Sequence, residues 1–162
     1  MPPPPDTRRM SHVWIPAAEW RTIVEHVPIV SVDLLVRYDG GLLFGRRTNE
    51  PAKDHWFLPG GRVRKFETRE EAVHRVAREE LGVEVELVES LGAYEHFYDE
   101  ANVEGVDGKH YLANGYVVDV VDGDLRADDQ HDDLRVFDEA PEPLHEFVAG
   151  YLTDAESLPG WP

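Results

Sequence analysis

The chain has 162 residues, no cysteine, and 33 acidic against 16 basic residues, a formal charge of -17. That length fits one domain, the missing cysteine excludes disulfides, thiolate ligands and a cysteine nucleophile, and the negative charge argues against nonspecific nucleic-acid binding, which needs basic patches. No apolar run approaches the ~20 residues that span a bilayer, and the proline-rich start lacks the apolar centre of a signal peptide, so a cytoplasmic protein with no membrane partner is expected.

Residues 1–15 read as a disordered, proline-rich tail, because Pro2, Pro3, Pro4 and Pro5 suit neither a helix interior nor a central strand. From Pro16, the spacing of Ala17, Trp20, Ile23, Val24 and Val27 predicts an amphipathic helix ending before Pro28. It packs either on the domain or on a second subunit. Residues 29–37 form an apolar strand interrupted by Asp33, followed by a second strand at Leu42, Leu43 and Phe44. Asp39-Gly40-Gly41 between them is a hairpin signal. An aspartate in a buried strand is costly unless paired. Asp33 therefore serves either as a structural partner of an arginine or as a ligand for substrate hydroxyls. Arg46 and Arg47 close the second strand, and side-chain alternation puts one of them on the cleft side.

Thr68 followed by Glu71 is a capping box, and Val73, Ala77 and Leu81 make a buried stripe that stops at Gly82. A helix over 68–81 follows. Its pitch sets Glu79 and Glu80 to either side of Val76, so two acids share one edge, an arrangement that suits Mg²⁺ or Mn²⁺, although taken alone the pair reads first as a solvated face. Gly60-Gly61, just before the helix, lets the backbone approach a metal or phosphate. Downstream, residues 85–98 form a strand broken at Gly92. A polar loop leads to a strand over 110–121, and the polar Gln130-His131-Asp132-Asp133 precedes a short strand over 134–137. Leu144, Phe147, Val148 and Tyr151 predict a helix over 143–152. The order of elements argues for an α+β fold with a mixed sheet packed between helices, an α/β/α sandwich, as a single domain over 16–152 with a tail at 153–162.

The spacing Gly61, Glu67, Arg75, Glu79-Glu80, Gly82-Val83 resembles the Nudix box, G-x5-E-x7-R-E-U-x-E-E-x-G-U, where U is bulky and aliphatic. One charged position departs: Val76 stands where the box has glutamate, which implies fewer bound metal ions. Gly45-Arg46-Arg47-Thr48-Asn49, the run from Trp56 to Val63, His96-Phe97-Tyr98-Asp99 and Gln130-His131-Asp132-Asp133 are similar to the GDP-mannose mannosyl hydrolase branch. The resemblance implies a Mg²⁺ site, with Mn²⁺ as a substitute, made by the Gly60 carbonyl, Glu80 and Gln130; Glu79 is a further candidate ligand. It implies His131 as general base, oriented by Asp132 or Asp133. Arg47, Arg62, Arg75 and Tyr111 would stabilise the departing diphosphate, and Asp33, Arg47, His96 and Tyr98 would bind substrate. For Arg75, an ion pair with Glu67 that locks loop to helix is an equal alternative. A homodimer is implied by the same resemblance.

The function expected from these residues is Mg²⁺-assisted attack of water on the anomeric carbon of a GDP-hexose, giving GDP and free sugar. Two alternatives stay open. The presence of Glu79 is compatible with ordinary phosphoanhydride cleavage of a nucleotide or nucleotide sugar, and a noncatalytic nucleotide-sugar-binding protein is the third. The acid-rich, arginine-dominated composition suits solubility in concentrated salt, as in halophile proteins, better than an acidic docking surface.

Overall fold

The computed structural model describes residues 15–47, 53–101, 103–125 and 131–158, excluding the side chains of Arg47 and residues 131–133. The proline-rich start and Gln130 lie outside the described residues. Helix α1 spans Ala17–His26, and strands β1 (Ile29–Tyr38) and β2 (Gly41–Arg47) form the expected hairpin. Two short strands, β3 (Trp56–Phe57) and β4 (Gly60–Arg62), follow in place of an uninterrupted loop. Helix α2 covers Arg69–Val76 and widens over Ala77–Leu81 before β5 (Glu84–Tyr98), β6 (Lys109–Asp122), β7 (His131–Phe137) and α3 (Glu146–Ala155). No described helix is long and apolar enough to cross a membrane.

The sheet is mixed. β1 runs parallel to β6 from Ile29↔Tyr111 to Arg37↔Asp119, β6 pairs antiparallel with β5, and β2 carries β7 on its outer edge. β1 and β2 are paired only at Arg37↔Leu42 and Tyr38↔Gly41, beside the turn. Beyond that they splay, and β3 pairs with β2 while β4 pairs with β1, so residues 56–62 fill the gap as a wedge. This non-local pairing is what turns an apparent loop into strands. It also explains why β7 starts at His131 rather than at Leu134: Arg47↔His131 and Arg46↔Asp133 extend the ladder into a polar segment.

Both faces of the sheet are covered, which is why β1 reads as an almost unbroken apolar run. On one face Val32, Leu34 and Val36 pack with Ala72, Val73, Val76, Ala77 and Leu81 of the α2 segment. On the other, Leu35, Phe44, Trp56 and Val117 pack with Val148, Tyr151 and Ala155 of α3. The chain is thus the expected α/β/α sandwich, with α3 beginning and ending about one turn later than the sequence suggested. Thr68 caps α2 by accepting from the Glu71 N–H at 3.1 Å, and Arg69 reaches across to the buried Asn114 at 3.2 Å. The predicted stop at Gly82 is present with φ 70°, but its N–H reaches both Ala77 O and Arg78 O, marking a wide last turn.

The α3 layer sits close to the sheet at Gly115, where an added Cβ would lie 2.6 Å from Tyr151 Cε1 and 2.7 Å from Cδ1. Gly115→Ala is expected to displace the Tyr151 ring and cost about 1–3 kcal/mol, the usual range for overpacking. Urea unfolding should show a lower midpoint with an unchanged slope.

Candidate active site

The wedge creates the site. In an antiparallel ladder, pairs that exchange hydrogen bonds alternate with pairs that do not. Leu34 N–H donates to Pro59 O and Val63 N–H to Val30 O, so the Asp33↔Gly60 pair between them is of the second kind. The N–H and C=O of Gly60 therefore point away from β1. The N–H meets the widened end of the α2 segment, donating to Glu80 Oε2 at 3.1 Å. Glu80, half-buried, thus shares an edge with the Gly60 carbonyl. A Cβ at position 60 would stand 2.3 Å from Asp33 Oδ1 and 2.7 Å from Val32 O, so this approach is open only to glycine.

A network of arginines and acids fixes the loop between wedge and helix. Arg75 donates Nε to Glu67 Oε2 at 2.7 Å, Nη2 to Glu67 Oε1 at 2.9 Å and to the Arg62 carbonyl at 2.7 Å, and Nη1 to Glu79 Oε2 at 3.1 Å. The Arg64 N–H adds a bond to Glu67 Oε1 at 3.0 Å. The expected ion pair between Arg75 and Glu67 is formed. Burial pushes the Glu67 carboxyl up, but the bonds from Arg75 and Arg64 outweigh it and hold the group below its ordinary range. Glu79 lies between Arg75 and Arg64, whose Nη2 is 3.3 Å from both its oxygens. Glu79 thus meets two guanidinium groups, and Glu80 accepts from the Gly60 amide.

Val76 explains the departure from the three-acid pattern. Its side chain is a core residue, and its Cγ2 would lie 3.0 Å from a Cβ on Gly61. A carboxylate at this position would start from the apolar layer. Among the described residues, no cluster of three or more His, Asp or Glu gathers into a metal cage. The oxygen donors brought together are the Glu80 carboxylate and the outward Gly60 carbonyl, a set whose chemistry fits a hard divalent cation completed by further oxygens.

The expected substrate residues fall on the α3 face of the sheet, because cross-strand partners share a face. Asp33 is beside Gly115, His96 beside Tyr111, and Tyr98 beside Lys109, while Arg62 pairs with Ser31 between them. Asp33 accepts from the Tyr151 hydroxyl at 2.7 Å. His96 is buried and stacked on Phe147, with ring centroids 4.3 Å apart at 2°. Burial first, and His145 second, lower its pKa to about 4, so the ring is neutral at physiological pH. Tyr98 lies edge-on to Tyr111 at 5.9 Å and to Phe147 at 5.0 Å. Arg47 and His131 face each other as backbone partners in β2 and β7.

Sequence reasoning missed several residues on this face. Lys109, Trp20, His145 and Phe147 belong to it, and Tyr151 donates to the half-buried Asp33. The signal for Lys109 was alternation with Tyr111, which becomes visible only when β6 is seen to begin at residue 109.

The Glu67–Arg75 bond carries a pH signature. Because the folded protein holds this carboxyl ionised below its ordinary value of 4.5, the stabilisation is fully present above that pH and is lost as pH falls through the folded pKa. Glu67→Gln should cost about 2–3 kcal/mol at pH 7, since it leaves a largely buried guanidinium poorly matched. Its denaturant midpoint should fall less steeply than that of the parent between pH 5 and about pH 3.

Comparison with known proteins agrees with this geometry. The NUDIX domain family matches residues 27–156. The chain is 53% identical over 138 residues to the low-salt glycan biosynthesis protein Agl8 of Haloferax volcanii, covering 85% of this chain and 88% of that protein. It is 34% identical over 111 residues to the ADP-ribose pyrophosphatase of Methanocaldococcus jannaschii, covering 68% of this chain and 62% of that protein. Among solved structures, a MutT NUDIX hydrolase from Burkholderia pseudomallei superposes with a TM-score of 0.67 at 33% identity, covering 78% of this chain and 97% of that one. A wedge glycine held on a helix-end glutamate, an arginine-locked loop and these matches together make the chain a member of the Nudix hydrolase family.

Proposed function

We propose that the protein hydrolyses a nucleotide sugar of the GDP-mannose type, releasing GDP and free sugar through attack of water on the anomeric carbon. The observation that carries this reading is Val76, a core residue at the position where the box has an acid. Glu67 and Glu79 are engaged by arginines, Val76 fills the third acidic position, and Glu80 bonds the Gly60 amide. With valine in place of one box glutamate the helix offers fewer acids to metal, which suits a single cation that holds a leaving diphosphate rather than a multi-metal site for attack at phosphorus. The similarity to a protein named for glycan biosynthesis supports a sugar-bearing substrate.

In this reading the Gly60 carbonyl, Glu80 and Gln130 hold Mg²⁺, which when bound neutralises charge on the diphosphate. Mn²⁺ is an adequate substitute. His131 takes the proton from the attacking water, with Asp132 or Asp133 orienting its ring. Arg47, Arg62 and Tyr111 meet the departing diphosphate, and Arg75 acts by positioning the Arg62 backbone. Asp33, which accepts from Tyr151, contributes to binding the sugar, while Tyr98 and the neutral His96 shape the α3 side. The high acid content serves solubility in concentrated salt.

The relative named as an ADP-ribose pyrophosphatase favours a second reading, hydrolysis at the phosphoanhydride. Turnover of GDP-mannose with Mg²⁺ in heavy-oxygen water separates the two. The carbon-attack reading predicts label in the free sugar and unlabelled GDP; label in a phosphate-bearing product, with GMP and a sugar phosphate released, contradicts it.

A further inference from the structure

We propose that Lys109, acting with the Tyr111 hydroxyl, is a phosphate-binding residue for the nucleoside-diphosphate half of the substrate, and that Trp20 on α1 builds this subsite. The proposal rests on the nucleotide-sugar reading above and adds to it a residue and a helix outside the Nudix box. In a chain of charge -17, basic side chains are scarce, so where they gather is informative.

Lys109 opens β6 opposite Tyr98, on the same face as Tyr111, His96 and Arg62. It is only 8% exposed, which is unusual for an ammonium group. Its Nζ lies 3.4 Å from the Tyr111 hydroxyl and 5.7 Å from the centre of the same ring. Trp20 spans the rim: its ring centre is 6.0 Å from Lys109 Nζ and 5.8 Å from the Arg62 guanidinium. One indole ring thus lies within 6.0 Å of two cations, an arrangement worth most where water is partly excluded. Arg64 and Arg75 add positive potential at Arg62, with burial the larger influence on that group.

An ammonium and a phenol oxygen 3.4 Å apart are two donors at a spacing that two oxygens of a phosphate group can accept together. A guanidinium across the same indole can engage a neighbouring phosphate oxygen. The cluster is a better match for a diphosphate than for a sugar, whose hydroxyls need acceptors as well as donors. It also gives α1 a role: Trp20 sits in the substrate rim, and Arg21 of the same helix is tied to the Glu104 carbonyl at 2.9 Å, which anchors the helix to the segment before β6.

The test compares Mg²⁺ complexes of ADP, GDP and UDP with the corresponding nucleosides, by calorimetry at high salt, on the full chain and on Lys109→Met, which retains the apolar stem beside Trp20. Whichever diphosphate the parent binds, Lys109→Met should bind it about tenfold or more weakly, while the nucleoside is unaffected. Lys109→Gln gives the same comparison if the methionine variant fails to fold. Equal weakening of diphosphate and nucleoside, or no weakening of either, overturns the role of Lys109. Selective loss seen with ADP or UDP but no binding of GDP would support Lys109 and overturn the guanine assignment instead. Absence of any diphosphate binding by the parent overturns both.

Discussion

The structure depends on how the strand wedge of residues 56–62 is pinned to the end of α2. β1 and β2 separate after one turn of pairing, and a separation of that kind leaves backbone groups that must be satisfied. β3 and β4 satisfy them on both sides, and Arg75 then ties the outgoing loop to the helix through Glu67 and the Arg62 carbonyl. With the loop fixed, Gly60 has one remaining edge. That edge carries its N–H to Glu80 and leaves its carbonyl alongside. The site is therefore a by-product of solving a backbone-pairing problem.

Charge is distributed with the same economy. Glu67 and Glu79 are compensated by Arg75 and Arg64, which offsets the repulsion between neighbouring carboxylates. On the opposite face, Asp33 accepts from a tyrosine hydroxyl, and His96 is held neutral by burial among rings. The two faces thus have separate electrostatic characters, oxygen-rich at the wedge edge and aromatic with a few cations on the α3 side.

Much of this was legible in the residues. The capped helix, its glycine stop, the first hairpin and the sandwich follow from local spacing, and the family follows from the box. What the chain order hides is non-local. Trp56, Phe57, Gly60, Gly61 and Arg62 carry too little pattern to announce strands, and only pairing with β1 and β2 makes them so. Glu79 and Glu80 are equivalent as letters, and the widened last turn with Arg64 and Arg75 distinguishes them. Tyr151 was assigned to a terminal helix, with nothing local to connect it to Asp33, 118 residues earlier. Val76 was legible as a departure, but its place in the core under Gly61 was not.

Titration of the protein with Mn²⁺, following free metal by electron paramagnetic resonance, addresses the central claim most directly. One ion per chain is expected, lost in Glu80→Gln and kept in Glu79→Gln, because only Glu80 shares an edge with the Gly60 carbonyl. Two ions per chain, or a loss in Glu79→Gln equal to that in Glu80→Gln, would contradict the account.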